Sequence, residues 1–462
     1  MIPLTLADIA AATGGALDHA DPGTLVTAPL LFDSRKVTSG GLFACLPGRT
    51  ADGHDFAEQA VADGAVAVLA TRPVGAPAVI VPDVLTAMAD TAREVASRYP
   101  GTVIGITGSA GKTSTKDLLN GVLSLDGPTV ATPRSFNNEI GFPITVTQVT
   151  TDTWYLVLEM GARGRGHIDT LCRIARPTIA AVLGVGSAHA GEFGSREATA
   201  EAKSEIVRSL PPHGVAVLNA DDPLVAPMAS RTEARTMFFG TGDADVRAED
   251  VRVGESGRPH FTLRYGDDQA QVQLAVHGRH NVTNALAAAT IALAAGVPFA
   301  RVVEGLSSTE LTSGGRMEAM TRPDGVTVIN DAFNASPESV LAALEAMQDI
   351  AAGRRMIAVL GEMAELGDEA AAWHDRVGQA TAKTGVAHLV LVGGEQADAL
   401  GAMARTVGID VRRAPDGQPL APFVNSLVEP HDVVLVKGAN ALGLDAVARE
   451  LGGLTRITPE HA

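Results

Sequence analysis

The sequence has little cysteine, few aromatic residues and a deficit of positive charge. Among 462 residues there are two cysteines, Cys45 and Cys172, and aromatic side chains make up 4% of the chain. Two thiols are too few for a disulfide framework or a cysteine-built metal site, which fits a reducing compartment. With 36 basic and 53 acidic residues, the formal charge is −17, and such a field repels polyanions. We therefore expect no nucleic-acid partner, and a phosphate site has to be made by local groups.

Long apolar runs are absent as well. No stretch reaches the ~18 uncharged apolar residues that a membrane span requires. The opening MIPLTLADIAAATGG has neither the basic residues nor the apolar run of a signal peptide. The sequence therefore predicts a cytoplasmic protein without membrane insertion, and we expect a monomer. Hydrophobic residues at 46% and charged residues at 19% exclude disorder as the main state.

Lysine is scarce. Of the 36 basic residues 30 are arginine, and the six lysines are Lys36, Lys112, Lys116, Lys203, Lys383 and Lys437. Where arginine supplies plain positive charge, each remaining lysine raises the question of whether its compact ammonium or its nucleophilic amine is needed.

Short apolar runs alternate with helical patterns along the whole chain. Examples are AVAVLA (65–70), GTVIGITG (101–108), WYLVLEMG (154–161), RMIAVLGEM (355–363) and DVVLVKGAN (432–440). This alternation predicts an α/β fold with mostly parallel sheets and with its chemistry at the carboxyl ends of strands. A polar, β-like stretch at about 245–276 precedes an alanine-rich helix at 281–296.

The length suggests about three domains. Changes in the pattern place the linkers near 98–101 and 310–315. We therefore expect units at 1–98, 99–313 and 314–462.

The strongest local signal is GSAGKT, which places Gly108, Ser109, Ala110, Gly111, Lys112 and Thr113 between a predicted strand and a predicted helix. In a phosphate loop, backbone N–H groups turn toward phosphate oxygens, the lysine reaches the β- and γ-phosphates, and the threonine hydroxyl binds Mg2+. The match is to G-x-x-G-K-T, because Ile106 stands where the longer pattern has its first glycine. The segment predicts ATP binding.

Polar residues follow two later predicted strands. Glu159 ends the run LVLE, and His189 lies in SAHAGEFGS. A buried acid needs a cation, and oxygen ligands suit Mg2+, although each residue alone is also compatible with a surface acid or a hydrogen-bonded core histidine. Lys203 follows on a predicted helix, where an ion pair with Glu201 or Glu205 on the surface is the alternative to a functional role.

Two asparagine pairs are further candidates. Asn137 and Asn138 lie in SFNNEIGFPIT, and paired asparagines are typical of turns. Asn281 and Asn284 stand three apart at the start of the alanine-rich helix. Amides there either cap the helix or contact the edge of a base.

The third unit repeats the pattern of polar groups at strand ends. Arg316 follows two glycines and suits a γ-phosphate, Asp331 and Asn334 follow VTVIN and suit ribose hydroxyls, and Lys437 follows DVVLV. Polar groups at the strand ends of two units are what a cleft between domains requires.

Taken in order, these segments resemble those of Mur ligases. The matching segments are GITGSAGKTSTK, SFNNEIGFPIT, LEMGARGRGHI, AHAGEFGS, AKSEIV, GRHNVTNALAAA, GGRME, NDAFNASPES, VLGEMAELG and VKGAN. The resemblance covers essentially the whole chain. It implies a uridine-nucleotide domain at 1–98, an ATP-binding domain at 99–313 and a Rossmann-like domain at 314–462 that closes over the site.

Within that family, three features favour the members that add D-alanyl-D-alanine to UDP-N-acetylmuramoyl-tripeptide in peptidoglycan precursor synthesis. They are the NNEIGFP loop, VLGEMAELG followed by His374, and LFDSRKVTSGGLFACLPGRTADGHDF (31–56). The Asp-Asn-Pro-Arg motif of the sister ligase that adds the third residue is absent. The resemblance thus implies an ATP-dependent ligase that works through an acyl phosphate.

The resemblance also implies a role for each matching residue. Lys112 would contact the ATP phosphates and Thr113 one Mg2+, while Glu159 and His189 would hold a second Mg2+, bridged by Lys203 if it is carbamylated. Asn138 and Asn284 would contact the nucleotide, Arg316 the γ-phosphate and Asp331 the ribose.

The expected catalytic residues are Lys112, Glu159, His189, Lys203 and Arg316. Further expected ATP-binding residues are Gly108, Ser109, Ala110, Gly111, Ser114 and Asn281. The expected substrate-binding residues are Ser34, Arg35, Gly53, His54, Asp55, Asn334 and Lys437.

Two segments depart from the family pattern. The usual Lys-Gly-Ser-Arg reads KGAN at 437–440, and the usual Asp-Ser-Tyr-Asn-Ala-Asn-Pro reads DAFNASP at 331–337. The missing serine and arginine bear on the carboxylate of the incoming dipeptide and leave the ATP site unchanged.

Two other functions compete with this one. A relative could join a different acid and amine, as folylpolyglutamate-type and third-position ligases do, although the DSRKV and DGHDF segments argue against the folate type. The second competing function is that of a nucleotide-binding regulator whose catalytic site is inactive. Against a regulator stands the joint retention of Lys112, Thr113, Glu159, His189 and Lys203.

Overall fold

Three mainly parallel β-sheets organise the chain, which confirms the predicted α/β fold. The computed structural model describes residues 1–48, 51–186, 194–254, 256–415 and 417–453. Helices follow the strands of each sheet, as the alternating runs predict. The runs AVAVLA and GTVIGITG become strands at Ala65–Ala70 and Thr102–Thr107.

The first sheet is formed by residues near the amino terminus. Its strands, in spatial order, are β2 (Ala16–Asp18), β7 (Ala78–Ile80), β6 (Ala65–Ala70), β5 (Gly41–Ala44) and β4 (Leu30–Leu31), and only the β2 edge is antiparallel. A separate antiparallel pair joins β1 (Leu4–Thr5) to β3 (Leu25–Val26). The helices of this unit are α1 (Leu6–Thr13), α2 (Ala57–Ala62) and α3 (Val84–Arg98).

The central sheet contains nine strands. In chain order they are β8 (Thr102–Thr107), β9 (Thr129–Ala131), β10 (Tyr155–Glu159), β11 (Ile179–Val182), β12 (Val215–Asn219), β13 (Arg235–Gly240), β14 (Val246–Val253), β15 (Pro259–Tyr265) and β16 (Asp268–Gln273). The spatial order is β16-β15-β14-β13-β12-β11-β8-β10-β9, in which β14 to β16 form the antiparallel end that the polar stretch predicts. Chain order reverses on the two sides of β8, and such a switch point is where open α/β sheets bind ligands.

The helices of the central unit surround this sheet. They are α4 (Lys112–Ser124), α5 (Gly141–Val146), α6 (His167–Ile174), α7 (Arg196–Lys203), α8 (Glu205–Arg208), α9 (Asn281–Ala294) and α10 (Phe299–Ser308). Alanine lets α9 pack closely, and Ala285, Ala287, Ala288 and Ala289 are fully buried. Within the described ranges, no helix has the length and apolar content to cross a bilayer.

The third sheet is formed by the last part of the chain. Its strands, in spatial order, are β17 (Glu318–Thr321), β18 (Thr327–Asn330), β22 (Val433–Lys437), β19 (Met356–Gly361), β20 (His388–Val392) and β21 (Asp410–Arg412), and β17 alone is antiparallel. Helices α11 (Pro337–Ala351), α12 (Ala370–Thr384), α13 (Glu395–Thr406), α14 (Leu420–Asn425) and α15 (Leu444–Leu451) cover it.

The apolar cores do not follow the three sheets one to one. A single cluster joins Leu30 and Met88 of the first unit to Phe142 and Leu158 of the central unit. The clusters around the third sheet contain only residues from Met317 onward. The first two units therefore share buried surface, whereas the third has a core of its own.

Candidate active site

A glycine loop connects β8 to α4 at the switch point of the central sheet. Gly111 ends the loop with φ +81° and is the N-cap of α4. A Cβ there would lie 2.3 Å from Asn284 Oδ1, so both the backbone conformation and the close approach require glycine. Ser109 N–H donates to Gly184 O at 3.0 Å, and the Ser109 hydroxyl is buried without a partner.

Lys112 is the first residue of α4, where the helix dipole favours an anion. Its Nζ donates to Gly108 O at 2.7 Å. Burial lowers the pKa of the Lys112 ammonium, Glu159 opposes this shift, and Arg316 adds to it. The loop thus holds a half-buried cation at the N-terminus of α4.

Glu159, Thr113 and Asn137 meet at the end of β10. Glu159 is 2% exposed; Thr113 Oγ1 donates to its Oε2 at 2.8 Å and Asn137 Nδ2 to its Oε1 at 2.7 Å. β10 and β8 are adjacent and parallel, so their carboxyl ends bring Glu159 to the phosphate loop. The result is a buried pair of oxygen ligands, of the kind that Mg2+ prefers.

Arg316 reaches this point from the linker before the third sheet. Its Nη2 donates to Thr113 Oγ1 at 2.8 Å, and its guanidinium lies 4.2 Å over the centroid of the Phe333 ring. Its Nε is buried without a partner. Burial lowers the pKa of Arg316, an effect that Glu159, Asp331 and Asp117 oppose.

Lys203 is buried at the end of α7, with 3% of its surface exposed. Burial holds the pKa of its amine well below the usual value, and the nearby Lys112 ammonium lowers it further. The surface-pair alternative is wrong, because Glu201 pairs with Arg208 at 2.5 Å and Glu205 accepts the Gly166 and Asp169 N–H groups. The other predicted ligand, His189, lies outside the described residues.

The side chains that most often bind metal ions do not cluster in the described part of the chain. There, no cluster of three or more His, Cys, Asp or Glu side chains is arranged for a metal. The oxygen pair of Thr113 and Glu159 is therefore the metal-compatible feature of the described site.

The asparagines divide into three roles. Asn281 Nδ2 donates to His277 O at 2.7 Å, and Asn284 Nδ2 donates to Asn281 Oδ1 at 2.7 Å, so Asn281 does not cap α9. Asn138 is exposed, and its Oδ1 accepts the Gly141 N–H at 2.9 Å, as a turn residue does. Asn137, by contrast, contacts the active-site carboxylate.

Lys437 and Asp331 lie together in the third unit. Lys437 Nζ donates to Asp331 Oδ2 at 2.6 Å and to Asn334 O at 2.9 Å, and it is 2% exposed. The Met317 N–H donates to Asp331 Oδ1 at 3.1 Å, and Asn334 Oδ1 accepts the following N–H. These bonds place the three predicted residues in one network beside the linker.

His374 is fully buried behind the GEMAELG loop. Its Nε2 accepts the Met363 N–H at 3.0 Å, and its Nδ1 lies 2.7 Å from Ala370 O. The histidine therefore fixes the loop that follows β19.

A cavity of about 330 Å³ opens in the first unit and is lined by Asp52, His54, Arg72 and Ile140, among others. His54 Nδ1 lies 2.6 Å from Asp52 Oδ1, and its Nε2 accepts the Thr71 N–H at 3.1 Å. The ring nitrogens of His54 are thus engaged within the wall. Arg72 Nη2 lies 3.2 Å from Asp52 Oδ2 and presents a cation at the cavity.

The other residues predicted for this unit occupy two turns. Ser34 and Arg35 lie in a 3-10 helix (Ser34–Lys36), where Arg35 pairs with Asp33 at 2.9 Å. Gly53 and Asp55 lie in a second 3-10 helix (Gly53–Phe56) beside the cavity wall. A Cβ on Gly53 would lie 2.7 Å from Leu46 backbone.

Sequence reasoning did not single out Arg72, and it assigned a role to Asn138 rather than to Asn137, the asparagine that bonds Glu159. The signal for Arg72 is present, because Thr71 and Arg72 directly follow the apolar strand β6, as Glu159 ends β10. No sequence signal separates two adjacent asparagines, since only the backbone path decides which one turns inward.

Three family models match the chain. They are the Mur ligase family, catalytic domain at residues 30–97, the Mur ligase middle domain at 106–292, and the Mur ligase, glutamate ligase domain at 315–440. The protein belongs to the Mur ligase family.

Relatives and solved structures agree over the full length. The chain is 46% identical to the UDP-N-acetylmuramoyl-tripeptide--D-alanyl-D-alanine ligase of Mycobacterium tuberculosis (strain ATCC 25618 / H37Rv), with 98% of both chains covered. The enzyme of the same name from Escherichia coli (strain K12) is 33% identical, over 98% of this chain and 99% of its own. MurF from Acinetobacter baumannii superposes with a TM-score of 0.87 at 30% identity, covering 98% and 99%. MurF ligase from Thermotoga maritima in complex with ADP gives 0.79 at 29% identity, covering 93% and 98%.

Proposed function

We propose that the protein is an ATP-dependent ligase that joins D-alanyl-D-alanine to the terminal carboxylate of UDP-N-acetylmuramoyl-tripeptide in peptidoglycan precursor synthesis. The observation that carries this proposal is the convergence of Glu159 and Arg316 on Thr113, beside Lys112, in a chain similar along its whole length to ligases of that name. We also propose that the chain divides into domains at 1–98, 99–313 and 314–462. The monomeric state and the cytoplasmic location stay predictions.

The reaction has to activate a carboxylate, because a carboxylate does not react usefully with an amine in water. A carboxylate oxygen of the tripeptide attacks the γ-phosphorus of ATP, ADP leaves, and an acyl phosphate forms. The amine of the dipeptide then attacks the acyl carbon and loses a proton. The tetrahedral adduct collapses to the amide and inorganic phosphate. Enzymes catalyse such a phosphoryl transfer mainly by positioning and electrostatic stabilisation. A protein nucleophile is therefore not required.

The described residues suit the binding of a triphosphate. The Ser109 hydroxyl and Arg316 Nε are buried without hydrogen-bond partners among the described residues, and an incoming phosphate would supply acceptors to both. The Lys112 ammonium would turn from Gly108 O toward the phosphates, as in other phosphate loops. Arg316 would stabilise charge on the γ-phosphate and orient it for attack.

Mg2+ fits the same site. We propose that Thr113 Oγ1 contributes to one ion, and Glu159, together with His189 and Lys203, to a second. When bound, Mg2+ neutralises triphosphate charge and so lowers repulsion against the carboxylate. Asn137 holds Glu159 Oε1, so that Oε2 faces the Thr113 hydroxyl.

Lys203 suits carbamylation. Burial and the nearby Lys112 ammonium lower the pKa of the Lys203 amine. They therefore favour its neutral form, which would attack CO2, with loss of one proton, to give a carbamate. The product is an oxygen ligand that arginine cannot provide. Lysine at this place in an arginine-rich chain is consistent with such a requirement.

Lys203→Ala tests the carbamate. We expect turnover to fall roughly a hundredfold, since a ligand to the metal site is lost, and a short-chain carboxylic acid to restore part of it. Lys383→Ala, which removes an exposed lysine, is the matched control and should keep wild-type turnover. Full activity of the Lys203 variant, or a loss that no acid rescues, would contradict the carbamate.

The cavity of the first unit is our proposed site for the uridine nucleotide. Arg72 supplies a cation for the diphosphate in a protein that is otherwise strongly acidic. Ile140 also lines this cavity, and its neighbour Asn137 holds Glu159. One loop therefore touches both proposed nucleotide sites.

Product formation tests the proposed function. Purified protein with ATP, Mg2+ and UDP-N-acetylmuramoyl-tripeptide should release phosphate with D-alanyl-D-alanine but not with single amino acids, and the product mass should rise by one dipeptide residue. Phosphate release with a different amine would identify a paralogue. ATP binding without release by any amine would favour the regulator.

A further inference from the structure

Two adjacent charged residues in α4, Lys116 and Asp117, are buried and take no part in the proposed chemistry. Each is 3% exposed, and Lys116 Nζ lies 2.5 Å from Asp117 Oδ1. Burial of an ion pair costs desolvation energy that mutual attraction offsets only when further hydrogen bonds are present. Lys116 is also one of only six lysines. The pair therefore calls for a specific role.

The further hydrogen bonds come from the linker between α10 and β17. Asp117 Oδ2 accepts the Ser313 N–H at 2.9 Å, and its Oδ1 accepts the Thr312 and Ser313 hydroxyls at 3.1 and 3.2 Å. Lys116 Nζ donates to Ser313 Oγ at 3.2 Å. All of these bonds cross from the phosphate-loop helix to the linker. They fix the linker only as far as Ser313.

Beyond Ser313 the linker backbone is held by the third unit, although the Arg316 side chain returns to α4. The Phe333 N–H donates to Gly315 O at 3.0 Å, and the Met317 N–H donates to Asp331 Oδ1 at 3.1 Å. Gly314 lies between the two sets of contacts, and Gly315 has φ +70°, which favours glycine. The linker therefore changes its hydrogen-bonding partner, from α4 to the third unit, at Gly314 and Gly315.

The spacing of residues along α4 explains how the ion pair affects the position of Arg316. Thr113 and Asp117 are four residues apart and so lie on one face of the helix. Ser313 contacts Asp117, and Arg316, three residues later, contacts Thr113. The linker thus runs along this face toward the phosphate loop. The point at which Asp117 holds Ser313 on α4 therefore determines where the Arg316 guanidinium lies.

We propose that the Lys116–Asp117 pair is a positioning element that clamps the linker at Thr312–Ser313 and thereby delivers Arg316 to the phosphate loop. A carboxylate can accept several hydrogen bonds at once, and charge-assisted bonds are the strong ones. The Lys116 ammonium neutralises Asp117 and bonds Ser313 as well. The catalytic consequence of this inference rests on the proposed function.

The test removes the two linker hydroxyls of the clamp and leaves the buried charges and the Ser313 N–H bond in place. In the full chain, Thr312→Val combined with Ser313→Ala should lower kcat by roughly tenfold to a hundredfold, because a displaced Arg316 misplaces the phosphoryl group. KM for ATP should change by less than about twofold, since the Lys112 contacts remain. Thr312→Ser, which keeps the hydroxyl, should retain wild-type kcat.

Two further comparisons separate positioning from a general structural effect. Ser308→Ala removes a hydroxyl whose bonds, within the described part of the chain, go to backbone of its own helix, and it should leave kcat unchanged. In an Arg316→Ala background the linker double substitution should have no further effect, because residues that act as a unit are not additive. An unchanged kcat, or equal losses with and without Arg316, would overturn the proposal.

Hydrogen exchange tests the clamp without any substrate. The amides of 312–316 should exchange about tenfold faster in the linker double variant than in the wild type or in Ser308→Ala. If the wild type makes no product, the proposed function fails while exchange still decides the clamp. Equal exchange in all three proteins would overturn the clamp even if the wild type is active.

Discussion

Single residues decide whether the phosphate loop can form. Gly111 and Gly166 are both helix N-caps with left-handed backbone, at φ +81° and +83°. They differ in their surroundings, since a Cβ on Gly111 would meet Asn284 Oδ1 at 2.3 Å, whereas nothing lies within 4 Å of one on Gly166. The two glycines therefore separate backbone strain from steric conflict.

We predict that Gly111→Ala is more damaging than Gly166→Ala. Left-handed backbone at alanine costs about 1 kcal/mol or somewhat more in both variants, but only Gly111→Ala must also displace Asn284. ATP affinity, measured by calorimetry, should fall at least tenfold for Gly111→Ala and stay near wild type for Gly166→Ala. Equal affinities in the two variants would mean that the close approach to Asn284 does not matter.

Helix caps act at the scale of the element, as α1 illustrates. Thr5 Oγ1 accepts the Asp8 N–H at 3.0 Å, and Asp8 Oδ2 accepts the Thr5 N–H at 2.8 Å, which forms a capping box. Arg98 of α3 lies 3.0 Å from Asp8 Oδ1. The hydrogen bond from the Thr5 backbone and the Arg98 side chain lower the pKa of Asp8 to about 2. The same carboxylate thus starts α1 and ties it to α3.

Asp8→Asn should destabilise the protein at neutral pH and not in acid. A carboxyl with a depressed folded-state pKa contributes stability above its unfolded pKa, near 4, and loses it as pH falls through about 2. A lost cap costs about 1 kcal/mol, with little added by the partly exposed ion pair. Urea unfolding of both proteins at several pH values measures this difference, which should shrink between pH ~4 and ~2.

Asp152→Asn is the control for Asp8→Asn. It removes the same charge from an exposed loop and should change the unfolding free energy little at any pH. A pH-independent difference between wild type and Asp8→Asn would show that the ionised cap does not contribute.

The whole molecule contains two kinds of domain boundary. Between the first and central units an apolar cluster is continuous, and Thr147 Oγ1 accepts the Leu30 N–H at 3.2 Å. The central and third units have separate cores, which are connected by the linker, by the Arg316 contact and by an ion pair between Arg279 and Glu345. We therefore expect the third unit to be the one that moves relative to the phosphate loop, and such movement would exclude water from an acyl phosphate.

The shared core predicts how the chain unfolds. Leu30→Ala should cost about 2–5 kcal/mol and lower the thermal midpoint of the first and central units together, with little effect on the third. Val390→Ala, which removes a fully buried side chain of the third sheet, should do the reverse. Calorimetry with hydrogen exchange on each unit measures this. A Leu30→Ala effect confined to the first sheet would contradict the shared core.

Local patterns account for most of what sequence could predict. The apolar runs predict strands in each of the three sheets, and strand-loop-helix order places Lys112 and Thr113 in the phosphate loop. Strand β13 was not predicted, because Arg235–Gly240 lacks a clear apolar run. The Asn137 contact, the Arg72 cavity and the Ser313 clamp depend on residues distant in sequence. Periodicity carries no information about such contacts.

Transfer of 18O from the substrate carboxylate to the released phosphate tests most directly whether the γ-phosphate of ATP activates that carboxylate. UDP-N-acetylmuramoyl-tripeptide labelled with 18O in its terminal carboxylate is converted with D-alanyl-D-alanine, and the phosphate and ADP are analysed by mass spectrometry. An acyl phosphate predicts one 18O atom in each phosphate released. Unlabelled phosphate, or label in AMP, would contradict the mechanism proposed for this site.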